Sequence, residues 1–139
     1  MSYTEIAFHS AGERCSAWHF AAAGDGFTEA AGRPVVVMAH GFGGTKDSGL
    51  QPFAERFSAA GLDVVAFDYR GFGASDGQPR QSVSVERQMA DYGAAITAAQ
   101  QLPGVDRSRV VLWGSSFSGS HVLRVAAQCA DVAAVIGMT

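Results

Sequence analysis

Two segments of the chain hold residues whose types and spacing could do chemistry. In Val110-Val111-Leu112-Trp113-Gly114-Ser115-Ser116-Phe117-Ser118-Gly119, an apolar run leads into a tight turn of small residues and then a helical pattern. A serine hydroxyl is a weak nucleophile, so it must stand clear of its sheet where a base can reach it. A sharp strand-to-helix turn achieves this, at the cost of unfavourable backbone angles at the serine. Residues two positions either side must be small, because strand and helix pass close together there; Gly114 and Ser118 meet that need around Ser116. The helix start also points N–H groups at any developing oxyanion. The common form of this turn is G-x-S-x-G. Here Ser118 takes the last position, with Gly119 after it, and a Gly/Ser loop that merely caps the helix is the alternative reading.

The second segment, Val36-Val37-Met38-Ala39-His40-Gly41-Phe42-Gly43-Gly44, ends an earlier apolar run in a His-Gly-aromatic-Gly-Gly turn. Acyl transfer needs two donors aimed at one oxygen. One is the N–H of Phe117; Phe42 is placed to supply the other, with His40 and Gly41 supporting the turn. A third segment, Phe67 through Gly77, is a Gly-rich loop expected to border the site's mouth without doing chemistry. Phe42, Phe72 and Phe117 point to an apolar acyl pocket.

These segments need strands and helices to position them. Thr4–His9 and Arg14–Ala21 read as two short strands around a turn at Ala11-Gly12-Glu13. Pro34–Ala39, Leu62–Phe67, Arg109–Trp113 and Val132–Gly137 are continuous apolar runs, the pattern of strands covered on both faces. Leu50, Phe53, Phe57 and Ala60 recur at helical spacing, with Gly61 as the C-cap. Ser84 through Gln101 is a second helix with Val85, Met89, Tyr92 and Ile96 as its apolar stripe, and a third runs from Phe117 to Cys129. Strands alternating with helices make βαβ units and a mostly parallel sheet, α/β in class, with helices on both faces.

Composition narrows the function classes. The chain has 139 residues, 47% hydrophobic and 17% charged, which excludes disorder and fits one domain. A net charge of −3 and the lack of any basic block argue against a nucleic-acid or anionic-membrane partner. Cys15 and Cys129 form neither a disulfide framework nor a zinc site and read as reduced thiols of a cytoplasmic protein. No signal peptide or membrane span is evident, and nothing calls for a metal or cofactor. Gly71-Phe72-Gly73-Ala74-Ser75 has Asp76 where a dinucleotide fingerprint needs its third glycine, and Gly44-Thr45-Lys46 is not a P-loop order.

The other titratable residues have plainer readings. His9 and His19 read as surface or edge residues, and His40 as bonding loop backbone. His121, about a turn and a half along the helix after Ser116, reads as structural. Asp68 and Asp76 brace the Arg70 loop, Asp63 and Asp131 are turn residues, and Lys46 and Asp47 start the first helix as capping or solvated groups.

Taken together, HGFGGTKDSGLQPFAERF, FDYRGFGASDG and LWGSSFSGSHVL make the chain resemble the α/β-hydrolases, in particular the bacterial serine esterase and dienelactone-hydrolase-like group. The resemblance covers nearly the whole chain. It implies Ser116 as nucleophile, backbone N–H groups of Phe42 and Phe117 as the oxyanion hole, and a small-molecule ester, lactone or thioester as substrate. Ser120, where relatives carry a further small residue, has no special role.

In this fold the chain order is nucleophile, acid, histidine, and no residue after Ser116 matches either partner by motif. The expectation is therefore that residues 1–139 are the N-terminal portion of one α/β-hydrolase domain, the C-terminal strands, lid and helices being absent. Three functional readings follow: a serine hydrolase when the fold is complete, an inactive fragment or assembly module, and an acyltransferase or cofactor-free perhydrolase on the same serine. The last strand would present an unpaired edge, which invites self-association or a complementing C-terminal fragment. A monodisperse 14.5 kDa monomer in light scattering would contradict that expectation.

Overall fold

The computed structural model describes residues 3–138. Its strands are β1 (Thr4–Ser10), β2 (Glu13–Phe20), β3 (Arg33–Ala39), β4 (Asp63–Phe67), β5 (Val105–Ser115) and β6 (Val132–Met138). Its helices are α1 (Gln51–Ala60), α2 (Val85–Gln100) and α3 (Phe117–Gln128). The strands form one sheet in the order β1-β2-β4-β3-β5-β6. β1 pairs antiparallel with β2 and β2 with β4, whereas β4, β3, β5 and β6 run parallel.

The order dictates where the helices lie. The chain steps outward from β3 to β4, then returns past β3 to β5 and onward to β6. Parallel crossovers are right-handed, so stepping in opposite directions places the connecting helices on opposite faces. The side chains agree. On one face Val35, Val37, Val65, Phe67 and Leu112 pack with Tyr92, Ala95 and Ile96 of α2 and Val122 and Val125 of α3. On the other, Val36, Met38, Val64, Ala66 and Trp113 pack with Leu50 and Ala54 at α1. Each fully buried valine or leucine contributes roughly 1.5–3 kcal/mol, so the alternation along β3 and β4 fixes their register.

Local chemistry sets the helix ends. Ser84 Oγ accepts the Arg87 N–H at the start of α2. Gly61 closes α1 at φ 109°, its N–H donating to the last-turn carbonyls. α1 begins at Gln51, so Lys46 and Asp47 precede it rather than start it.

β6 is an edge strand, as expected from its place last in the chain, and most of it is exposed, including Ile136 and Met138. Two expectations change. The inner face of α2 carries Gln88 and Asp91 beside Tyr92, Ala95 and Ile96, while Val85 is exposed. Asp63 is no turn residue: it opens β4 fully buried, accepting from His19 Nε2–H at 2.8 Å and Arg33 Nε–H at 2.7 Å. Burial alone would raise its carboxyl, but those two hydrogen bonds outweigh it and hold the group at about 2.

Asp91 accepts three bonds: from Ser10 Oγ at 2.6 Å, Arg70 N–H at 2.9 Å and Arg70 Nε–H at 2.5 Å. It thereby ties β1, the loop after β4 and α2 together without exposure to solvent. Removing one partner of such a pair leaves a buried charge uncompensated. Arg70→Ala is expected to lose about 3–5 kcal/mol in urea unfolding, and Asp76→Ala, an exposed carboxylate in the same loop, under about 0.5 kcal/mol. Equal losses would show that the pair carries no special weight. The Asp63 contribution should be full above its free value of 3.8 and fade as pH falls toward about 2, so the stability gap between wild type and Asp63→Asn should narrow over that window.

Candidate functional site

The topology sets a switch point. β3 and β5 are neighbours whose following helices leave to opposite faces, and ligands of open α/β sheets bind beyond the carboxyl ends of strands at such a switch point. Ala39 pairs with Gly114 in that register, which brings His40 alongside Ser115 and Gly41 alongside Ser116. A Cβ on Gly41 would lie 3.1 Å from Ser116 Cβ and 3.3 Å from the Ser115 carbonyl oxygen. The two segments singled out by their chemistry therefore meet.

Ser116 stands between β5 and α3 at φ 54° and ψ −110°. A serine in that region is strained, and its surroundings hold it there. Its N–H donates to the Met138 carbonyl at 2.6 Å, and its carbonyl accepts from Gly119 N–H at 2.9 Å. A Cβ on Gly114 would come within 2.3 Å of the Ser118 carbonyl oxygen, so strand and helix cross backbone against backbone. Ser116 itself is exposed, and its Oγ makes no hydrogen bond among the described residues.

Ser118 is fully buried and more than a small spacer. Its hydroxyl donates to the His40 carbonyl at 2.5 Å and contacts the Tyr69 hydroxyl. Phe117 and Phe42 meet edge to face at 5.5 Å between ring centroids, with Phe42 70% exposed. Phe72 is not part of that surface, because it is buried and packs against the His40 ring.

Beneath the Gly-rich turn lies an ion pair that the sequence did not disclose. Lys46, expected to be solvated, is buried, with Nζ 2.8 Å from Asp68 Oδ2 and 5.1 Å from the centre of the Trp18 ring. Asp68 also accepts from the backbone N–H groups of Lys46 and Ala74. Gly73, at φ 53°, lies against this carboxylate, and any Cβ there would sit 2.4 Å from Oδ2. Asp68 thus braces its loop as expected, whereas the Asp76 side chain is exposed. Arg80 closes the same loop through the carbonyls of Gly73, Ser75 and Gly77.

None of the four histidines bonds Ser116. His9 is exposed on β1 and His19 is held by Asp63. The His40 Nδ1–H donates to the Gly41 carbonyl at 3.1 Å; its Nε2 is 3.8 Å from Asp68 Oδ1 and without a hydrogen-bond partner among the described residues. His121 is fully buried, its Nε2–H donating to Gln88 Oε1 at 2.8 Å and its ring against Phe117 and Tyr69. Burial lowers both His40 and His121 from the usual imidazole value of 6.5, with the nearby Arg124 charge adding to the effect at His121. No cluster of three or more metal-ligating side chains is present among the described residues, and no helix there is long and apolar enough to cross a membrane.

A profile of the family described as serine aminopeptidase, S33, matches residues 30–138. The chain belongs to this family of α/β-hydrolases. It is 47% identical over 132 residues to the quorum-quenching protein AidA of Acinetobacter baumannii, covering 95% of this chain and 42% of AidA. It is 43% identical over 98 residues to the thiohydrolase aneE of Aspergillus aculeatus, covering 70% of this chain and 30% of aneE. The crystal structure of the α/β-hydrolase GrgF from Penicillium superimposes with a TM-score of 0.87 at 30% identity, over 97% of this chain and 45% of GrgF. The α/β-hydrolase chain thus spans less than half the length of these relatives.

Two outcomes follow from the geometry. Gly114→Ala must push strand and helix apart, so it should cost about 2 kcal/mol or more in unfolding free energy, while Gly93→Ala, which meets nothing within 4 Å, should be neutral or stabilising. Because His40 and His121 are neutral in the fold, protonation favours the unfolded chain, and stability should drop as pH falls below about 6.5. A denaturation midpoint that stays flat across that range would contradict their burial as neutral rings.

Proposed function

We propose that this chain carries the nucleophile and oxyanion hole of a serine hydrolase acting on a small ester, lactone or thioester. The observation that supports it most directly is Ser116 held at φ 54° with an exposed, unbonded hydroxyl at the switch point. Ser116 Oγ attacks the acyl carbonyl carbon while its proton passes to a base, and the carbonyl π pair becomes the oxyanion. Phe117 N–H, at the first position of α3, and Phe42 N–H, beside Gly41, receive that oxyanion. The leaving alcohol or thiol departs with the proton, leaving acyl-Ser116, and water then releases the acid.

The base and its acid lie outside the described residues, since His9, His19, His40 and His121 are each exposed elsewhere or committed to other partners. The 139 residues alone are then nearly inert, because the oxyanion hole and binding by themselves supply only weak catalysis. The outer edge of β6, largely exposed, supports association with a second copy or with a complementing segment. The Phe42–Phe117 pair offers an apolar shelf for the acyl group.

Acyl transfer to an acceptor other than water is the second reading. It is favoured by a relative named as a polyketide transferase, grgF of Penicillium, 35% identical over 105 residues. Both readings use the same acyl-enzyme and differ in what attacks it. A fluorophosphonate probe should label the intact protein at Ser116, and Ser116→Ala should abolish the label. Persistent labelling of that variant would place the nucleophile elsewhere.

A further inference from the structure

The position that is glycine in the common elbow motif holds a buried hydroxyl here, and the hydroxyl is fully engaged. Ser118 has one proton, and the His40 carbonyl 2.5 Å away can only accept it. The contact between Ser118 Oγ and the Tyr69 hydroxyl must then run the other way, with Tyr69 donating. The result is a directed chain, Tyr69 O–H to Ser118 Oγ and Ser118 O–H to the His40 carbonyl. It joins the end of β4, the first turn of α3 and the end of β3, and Tyr69, Ser118 and His40 are all buried.

This chain ends on a particular peptide. The His40 carbonyl shares its plane with the Gly41 N–H, and an added Cβ on Gly41 would lie 3.1 Å from Ser116 Cβ. Fixing that plane anchors the residue that leads directly into Phe42. Ser118 is also the residue after Phe117. One side chain therefore connects the two backbone segments whose N–H groups must converge on a single oxygen. A glycine would fill the same crossing but would leave the His40 carbonyl buried without this donor.

We propose that Ser118 is a positioning residue: through the Tyr69–Ser118–His40 chain it sets the spacing between the Phe42 and Phe117 N–H groups. This rests on the oxyanion-hole assignment above. Donors preset for the oxyanion act mainly on the transition state, so loss of their alignment lowers kcat and leaves KM nearly unchanged.

The test compares Ser118→Ala, Ser118→Gly and Tyr69→Phe with Thr97→Ala, an exposed site on α2. In the intact protein, using a p-nitrophenyl ester, the two Ser118 variants are expected to lower kcat about tenfold or more with KM within about twofold. Tyr69→Phe keeps the Ser118–His40 bond and should lose less. A second measurement needs no turnover: the Gly44 N–H, bonded to the Gly41 carbonyl at 3.1 Å, reports opening of the turn by hydrogen exchange. It should exchange about tenfold faster in both Ser118 variants and unchanged in Thr97→Ala. Wild-type Gly44 exchange in both Ser118 variants would overturn the proposal, as would wild-type kcat in both or a loss confined to KM. If Ser116→Ala retains turnover, the nucleophile assignment fails instead, and unaltered Gly44 exchange would still separately overturn the bracing role of Ser118.

Discussion

The structure depends on one close crossing. β5 and α3 pass so near each other that even a methyl group at Gly114 would fall inside the Ser118 carbonyl. That proximity forces the one-residue turn at Ser116, and the turn forces Ser116 into a backbone region costing about 1–3 kcal/mol. The strain persists because neighbours over-determine it. Met138 takes the Ser116 N–H, Gly119 donates to its carbonyl, and Gly137 backs against Gly119 so closely that an added Cβ would lie 3.2 Å from the Gly119 carbonyl oxygen. A serine on an ordinary strand or helix would lie flat against its own element.

Around that crossing, polar groups hold the loops that regular structure cannot. The Gly-rich turn after β3 and the loop after β4 have few ladder hydrogen bonds, so their shape is set from below by two buried carboxylates. Asp68 collects the Lys46 side chain and two backbone N–H groups; Asp91 collects Arg70 and Ser10. Each carboxylate is desolvated, and each has enough donors to offset that. The loops beyond the strand ends are held by these buried charges, whereas the sheet beneath them is held by packing.

This division explains what could be read in the sequence. The β-branched runs of β3, β4 and β5, the Gly61 cap and the small residues about Ser116 follow local rules, and their elements fall within a residue or a few of where the pattern put them. Lys46, Asp63, Gln88 and Asp91 do not. Their burial is decided by partners 21 to 81 positions away, such as Asp68 for Lys46, His19 for Asp63 and Ser10 for Asp91. Periodicity counts apolar residues, so a polar residue on an inner face reads as a break in the stripe. Ser118 was legible as small but not as a donor, since its acceptor is the carbonyl of His40, 78 residues earlier.

The Phe42–Phe117 pair has a bearing on how such a protein changes over generations. In the proposed function these two residues offer their N–H groups to the oxyanion, while their rings, which meet edge to face, offer a shelf to the acyl group. An amide N–H is supplied by every residue except proline, so the main chain is indifferent to which side chain it carries. Substitution at either position would reshape the shelf while leaving the donors in place. On that proposed reading, substrate preference can drift at these two codons without passing through a disabled intermediate, which makes this corner of the fold a permissive place for new acyl specificities to arise.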